Sequence, residues 1–294
     1  MDIWFIVSNT IVLACIYGTL AIGISITWSS LGLLNLSYGF IFAFAGYGAW
    51  LFAQNVSAWG PAVLAAGILA GALGGVIICA IGFIPIHDKP NFTIRGLIAT
   101  LAINLIGTQF LLWWFGPRSK NLPDIFGNWS LSLPGGAVFT ADKVGNVVTS
   151  IVILAVVLRW MQSSRRGLEI RAMMMNPHAA SIVGIGVRRT SFYVMGITGG
   201  LAGLAAVLLS QTYYISPFGG LMPMIKGVSI ALCGGLGSVR GAVIAAIVLG
   251  LNEALTGMSI GGRYVLITQF VVIIAILLVR PRGIAGLLDK AREA

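Results

Sequence analysis

Side chains able to move protons, hold a metal or attack a carbonyl are few in this chain and poorly arranged for catalysis. It carries two histidines, His87 and His178, and three cysteines, Cys15, Cys79 and Cys233. Each cysteine sits inside an apolar run, and none is spaced as a metal or redox pair, so they read as small buried hydrophobes. No carboxylate pair falls within an apolar segment, and no hydroxyl there has a base beside it. No glycine-rich loop ends in Lys-Ser or Lys-Thr, so the chain does not bind ATP by that motif. The expectation is a protein with no catalytic residue, no metal and no cofactor. What remains is charge in apolar surroundings. Glu253 lies near the end of the apolar 240–257 segment, while Lys226, Arg240 and Arg263 lie nearer segment ends. An ionisable residue at membrane depth is by default suspected of function. A lone acid close to an interface is more simply a packing or interfacial group than a proton relay. An ion-driven transporter more usually buries several acids, so their scarcity argues that energy enters from elsewhere.

The elements that carry these residues are dictated by lipid. From Ile3 to Ile86 there is no Asp, Glu, Lys, Arg or His. A charge at the centre of a bilayer-spanning helix costs roughly 2.5–3.5 kcal/mol, so a charge-free run of this length is selected by a bilayer rather than by a soluble core. Hydrophobic residues make up 58% of the chain and charged ones 9%, against about a quarter charged in soluble domains. The fold class is therefore all-α and polytopic, with about 8–9 transmembrane helices in a single domain over 1–294. The net charge of +10 gathers in a few inter-helix segments, as the positive-inside bias requires. With no basic soluble domain or RNA-binding motif beside it, it does not indicate a nucleic-acid partner. The N-terminus lacks the basic segment of a secretory signal, so the first apolar stretch is expected to be a retained span.

At about 20 residues per crossing, apolar segments fall near 3–28, 31–54, 60–86, 94–116, 146–163, 190–212, 217–236, 240–257 and 262–280. The seventh and eighth are short and glycine-broken, so nine crossings stand against eight. Six arginines against Glu169 in 159–189, and Arg280, Arg282, Lys290 and Arg292 against Asp289 and Glu293 in the tail, place both regions in the cytoplasm. Nine crossings then put the N-terminus and the 117–145 loop outside. That loop holds Pro117, Pro123, Trp129, Pro134, Gly135 and Gly136 and reads as ordered, with a short hairpin. Trp113 and Trp114 precede it, where an interfacial aromatic belt belongs. Glycines four apart (Gly67/Gly71/Gly75, Gly196/Gly200, Gly199/Gly203, Gly237/Gly241) give helix faces that permit close crossing, assigned mainly to packing within the chain.

The cytoplasmic stretch 164–192 is too long for a turn and too patterned for disorder. Leu168–Met175 reads as one short helix. Asn176 can cap a second, with Pro177 at its first position and Gly184 and Gly186 able to end it. Met173, Met174 and Met175 offer adaptable apolar surface. From the residues alone, docking against a protein and lying on anionic lipid are equally supported.

At this segment the chain resembles the membrane subunits of bacterial ABC importers for branched-chain amino acids, a family that includes urea and short-amide permeases. The similar pieces are GLLNLSYGFIFAFAGY (32–47), LIATLAINLIGTQFLLWWFG (97–116), and Gly167-x3-Arg171-Ala172-x3-Asn176-x2-Ala179-Ala180-x3-Gly184-Ile185. The fourth is GGLGSVRGAVIAAIVLG (234–250) followed by LLVRPRGIAGLL (277–288). The resemblance implies a coupling loop, about 164–189, docked into separate cytoplasmic ATPase subunits through Gly167, Arg171, Ala172, Asn176, Pro177, Ala180 and Gly184. It also implies a second, related permease subunit, a periplasmic solute-binding protein, and a place in the bacterial inner membrane. ATP hydrolysis would belong to the partner.

The chain departs from the family at Ser37-Tyr38-Gly39, where a small residue and His are usual before the glycine. It departs again at His87-Asp88-Lys89-Pro90-Asn91, before the fourth span. Branched-chain amino acid is thus the family-level expectation, with a related small polar or carboxylated solute as an alternative. Asn35, Ser37, Tyr38, Asn104, Thr108 and Gln109 are translocation-path candidates by position, each also readable as a helix-packing group. A self-sufficient ion-coupled transporter or channel, and a membrane scaffold, are the competing classes.

Overall fold

The protein is described by a computed structural model, which covers residues 3–87, 89–127, 129–132 and 138–285. Asp88, the loop residues Pro134, Gly135 and Gly136, and the tail charges Asp289, Lys290, Arg292 and Glu293 lie outside the described residues, as do positions 286–288 of the C-terminal signature.

Apolar runs in lipid must satisfy their backbone internally, and helices do so one segment at a time. The described residues accordingly form α1 (Ile3–Leu31), α2 (Tyr38–Asn55), α3 (Gly60–Ile78), α4 (Phe92–Phe115), α5 (Ala141–Ser163), α6 (Arg165–Met175), α7 (Pro177–Ile182), α8 (Val187–Leu209), α9 (Leu221–Gly234), α10 (Val239–Ser259) and α11 (Val265–Val279). A π-helical turn carries α3 on through Phe83. In the 117–145 loop, β1 (Ser130–Ser132) pairs antiparallel with β2 (Val138–Thr140), in the register Leu131 opposite Phe139. Among the described residues, seven helices are long and apolar enough to cross a membrane: those of α1, α3, α4, α5, α8, α10 and α11. The all-α, polytopic class stands.

The seventh apolar segment is short, as expected of it, whereas the eighth, expected to be short and glycine-broken as well, forms a full-length helix in α10. The second and the seventh are each helical over only part of their length. In the second, Gly32 takes φ 66° and the Asn35 side-chain oxygen accepts from the Ser37 backbone N–H, a local bond that competes with helix. Helix begins only at Tyr38. In the seventh, residues 210–220 are not helical; Ile215 exchanges both backbone bonds with Lys120, and Pro217 and Gly219-Gly220 follow. Helix α9 is 14 residues, about 21 Å at 1.5 Å per residue and shorter than a bilayer core of about 30 Å.

Contacts sort the molecule into two ends. Phe5 and Lys143, Gly60 and Ile125, Lys120 and Ile215, and Trp50 and Lys120 meet at one end. Ser25 and Gly237, Leu33 and Gly96, and Cys233 and Ile284 meet at the other. Helices α6 and α7 join the second end, where Gly167 packs against Met161 at the close of α5. The nine apolar segments therefore run alternately between the two ends.

Helices α1 and α8 are the most buried spans, and α5 and α11 the most exposed. Helices α3 and α8 pack closely along their length, because glycine faces glycine. A Cβ on Gly71 would stand 2.3 Å from the Gly199 carbonyl oxygen, and one on Gly203 2.3 Å from that of Gly67. Such approach is what small-residue faces permit. The 67/71/75 and 199/203 patterns thus pack against each other within this chain, and Gly196 and Gly200 lie over Val76 and Ile68 of the same α3 segment.

Candidate solute cavity and coupling element

The two interrupted segments meet in the middle of the bundle. Asn104 stands halfway along α4, and its side-chain oxygen accepts from Phe40 N at 2.7 Å, which fixes the first turn of α2 at that depth. Gly220, just before α9, lies so close to Gly39 that a Cβ there would stand 1.9 Å from the Gly39 oxygen. The N-terminal ends of α2 and α9 therefore abut at mid-depth. Between the first end and this point the chain runs without helix beside α2, with Ile215 against Gly46.

Two cavities flank the interrupted seventh segment. The smaller, about 100 Å³, is lined by Gly39, Asn104, Leu105, Thr108, Gln109, Pro217, Phe218 and Leu221. Three path candidates, Asn104, Thr108 and Gln109, come together here. The other three are elsewhere and are occupied by intrachain bonds. Asn35 accepts from both Ser37 N and Ser37 Oγ and donates to Met195 Sδ. Tyr38 OH pairs with Thr27 Oγ1 at 2.6 Å, which donates in turn to Thr198 Oγ1. These buried groups tie the 32–38 stretch to α1 and α8.

The larger cavity, about 960 Å³, opens at the first end between α1, α2, residues 209–226 and the close of α10. Its size lies at the top of the range for small-molecule sites. Apolar and aromatic side chains line most of it, including Phe5, Val12, Leu13, Ile16 and Phe42. Four charged side chains stand in its wall, Lys143, Lys226, Glu253 and Arg263, and two of them pair with each other. Lys226 Nζ lies 2.6 Å from Glu253 Oε1, donates to Tyr17 OH at 3.1 Å, and sits 4.8 Å from the centre of the Tyr17 ring. Their side chains are 12% and 14% exposed. Glu253 is thus not a solitary interfacial acid: it belongs to an ion pair joining α9 to α10 and braced by α1. Sequence reasoning weighed Lys226 and Glu253 separately. The available signal was their opposite sign on consecutive apolar segments.

At the second end, α6 and α7 form the compact element expected of 164–189. Helix α6 begins at Arg165, three residues earlier than expected, because Ser164 Oγ accepts from Gly167 N at 2.9 Å. Gly167 has no room for a side chain: a Cβ would meet Met161 Cα at 2.4 Å. Asn176 Oδ1 accepts from Ala179 N at 3.0 Å and caps α7, whose first residue is Pro177. Gly184, at φ 88°, follows the end of α7 in the left-handed conformation, whereas Gly186 stands at the N-cap of α8 rather than at the end of α7. Ala180 is buried and Ala172 half-buried, while Arg171 and Asn176 are exposed. Arg166 donates to both Glu169 oxygens, at 2.9 and 3.1 Å, which raises the already high pKa of its guanidinium. Met173 is buried, but Met175, Ile182 and Val183 are 80%, 74% and 76% exposed. That cluster gives the element an apolar, uncovered tip.

The same architecture occurs among solved structures. PsaBC from Streptococcus pneumoniae, in complex with Fab, superposes with a TM-score of 0.55 at 14% identity, over 94% of this chain and 92% of that one, a likeness of fold alone. In sequence, the chain is 27% identical to the high-affinity branched-chain amino acid transport system permease protein LivH of Salmonella typhimurium, covering 95% of this chain and 94% of the relative. It is 26% identical to the corresponding permease protein BraD of Pseudomonas aeruginosa, over 95% and 94%. It is also 30% identical to the guanosine ABC transporter permease protein NupP of Bacillus subtilis, over 66% of this chain and 55% of that one. Residues 6–277 match the family described as the permease component of branched-chain amino acid transport systems, and the chain belongs to that family.

Proposed function

We propose that this multi-pass membrane permease carries branched-chain amino acids, or a closely related small polar solute, inward through the bacterial inner membrane. A separate cytoplasmic ATPase pair drives the movement, and a periplasmic binding protein delivers the solute. The observation that carries the reading is the α6–α7 element. Two short capped helices, fixed to α5 by Gly167, present Met175, Ile182 and Val183 uncovered at the end of the molecule opposite the large cavity. Exposed apolar side chains on a rigid element suit a protein groove. Gly167, Arg171, Ala172, Asn176, Pro177, Ala180 and Gly184 hold or border that docking surface. The second end, with the C-terminus, faces the cytoplasm, as its arginines favour.

A second permease subunit is supported by residues 213–222. Non-helical backbone at membrane depth is tolerated only where protein covers it or water lines it; Tyr213, Tyr214 and Met222 line the large cavity, and Phe218 and Leu221 stand exposed beside the small one. A related chain seated over this stretch would cover it and close the path beside Asn104, Thr108 and Gln109. Asn35, Ser37 and Tyr38 would hold the wall of that path behind them. Lipid covers the remaining apolar helix faces.

Mild solubilisation from native membrane, followed by mass spectrometry of what stays bound, tests the reading. An ATPase subunit should copurify with the wild-type chain and be lost from an Ile182→Asp/Val183→Asp variant. Recovery of the chain alone in several mild detergents would favour an ion-coupled transporter or channel instead.

A further inference from the structure

The Lys226–Glu253 pair is out of place if its only task is to join two helices. Two well-packed apolar side chains would join α9 and α10 without the cost of drawing charges out of water. Instead an ammonium and a carboxylate stand in the wall of a roughly 960 Å³ cavity with a phenol hydroxyl on the ammonium. At the pair the cavity offers one cationic donor, one anionic acceptor and a broad apolar lining, and these two charges sum to zero; Lys143 and Arg263 also line the cavity, each over an aromatic ring of its own, Phe5 and Tyr264.

We propose that this pair is a receiving site for a zwitterion. The solute's carboxylate takes Lys226 Nζ and Tyr17 OH, its ammonium takes Glu253, and its apolar side chain lies against the Ile16 and Phe42 wall. In the structure the two protein charges satisfy each other, and the zwitterion replaces that one contact with two. A solute bearing only one charge cannot make this exchange. It would neutralise one partner and leave the other unpaired in an apolar wall, which is the expensive outcome for a charge at this depth. The site thus selects for net-neutral, doubly charged solutes by excluding singly charged ones. This assignment rests on the amino-acid reading above and gives it a specific site.

Two measurements separate the fate of the site from the fate of that reading. Uptake of radiolabelled leucine by the complete wild-type complex in vesicles, with ATP, tests the reading; ATP hydrolysis with no leucine uptake would overturn it. Equilibrium binding to the full chain in lipid nanodiscs, without the solute-binding protein, tests the site. The probes are leucine, leucinamide (ammonium only) and 4-methylpentanoate (carboxylate only). Wild type should favour leucine over both analogues. Lys226→Gln should weaken leucine roughly 10- to 100-fold, the loss of one charged contact, and turn the preference toward leucinamide. Glu253→Gln should do the opposite and favour 4-methylpentanoate. Lys226→Gln/Glu253→Gln, which leaves no charge unpaired and so keeps the fold, should bind none of the three well. A pair that served only to join helices would leave the ranking of the three probes unchanged in every folded variant. That result, with leucine uptake intact in wild type, overturns the site.

Discussion

At the scale of single residues, the ion pair makes the sharpest demand on stability. Removing Lys226 alone leaves a carboxylate in an apolar wall, while removing both charges leaves nothing unpaired. Lys226→Met should therefore destabilise the chain more than Lys226→Met/Glu253→Gln, with a coupling energy of about 1–3 kcal/mol. Thermal unfolding of the four proteins of that cycle in nanodiscs measures it. Asn176 makes a smaller claim. Its side chain caps α7 on an exposed surface, so Asn176→Ala should cost about 1 kcal/mol of local helix stability. Faster amide exchange over 177–182, with the spanning helices unchanged, is the expected result. The cap at Asn176 was legible in sequence because capping is local. The pairing of Lys226 with Glu253 was not, since it depends on α9 lying beside α10, and no local pattern states which helices are neighbours.

At the scale of elements, apolar runs located all nine segments but could not say where helix begins within them. Hydropathy counts side chains, whereas the breaks before α2 and α9 are made by backbone: the Asn35 turn, the Ile215–Lys120 bridge and the Gly219-Gly220 approach to Gly39. The six path candidates were chosen by polarity and position. The structure separates them into three that line a cavity and three held in the wall by intrachain bonds, a division that depends on which segments are neighbours: Pro217, Phe218 and Leu221 complete the cavity beside Asn104, while Asn35 reaches Met195 and Tyr38 reaches Thr27. Glycine spacing was more informative, because a face of glycines is useful only to another close helix. Gly71→Leu should be tolerated by neither helix of the α3–α8 pair, as its Cβ alone would strike the Gly199 oxygen. The expected outcome is loss of monodisperse protein on size exclusion. The same change at Gly257, where nothing lies within 4 Å, should leave the elution profile unaltered.

For the whole molecule, the two ends make opposite claims about side. Val56, at the close of α2, marks the cavity end and Ser163, at the close of α5, the coupling end, and both are exposed. Cysteines placed at these positions should divide cleanly in intact cells stripped of the outer membrane. A membrane-impermeant maleimide should label Val56→Cys directly and Ser163→Cys only after permeabilisation. The native thiols give little background, because Cys79 and Cys233 are buried and Cys15 is half-buried within α1. The reverse pattern would turn the molecule over and place α6 and α7 away from any cytoplasmic partner.

The brevity of α9 also bears on how the chain is made. Fourteen helical residues preceded by non-helical backbone do not form a stretch that lipid would accept unaided. Its neighbours in the finished bundle are α1 and α2, synthesised long before it, and α10 and α11, synthesised after it. The seventh crossing is therefore held by its companions rather than by its own partition into the bilayer. A nascent chain halted just past Gly234 has to leave this segment unsettled at the insertion machinery, and release into its final place waits for the two helices that follow.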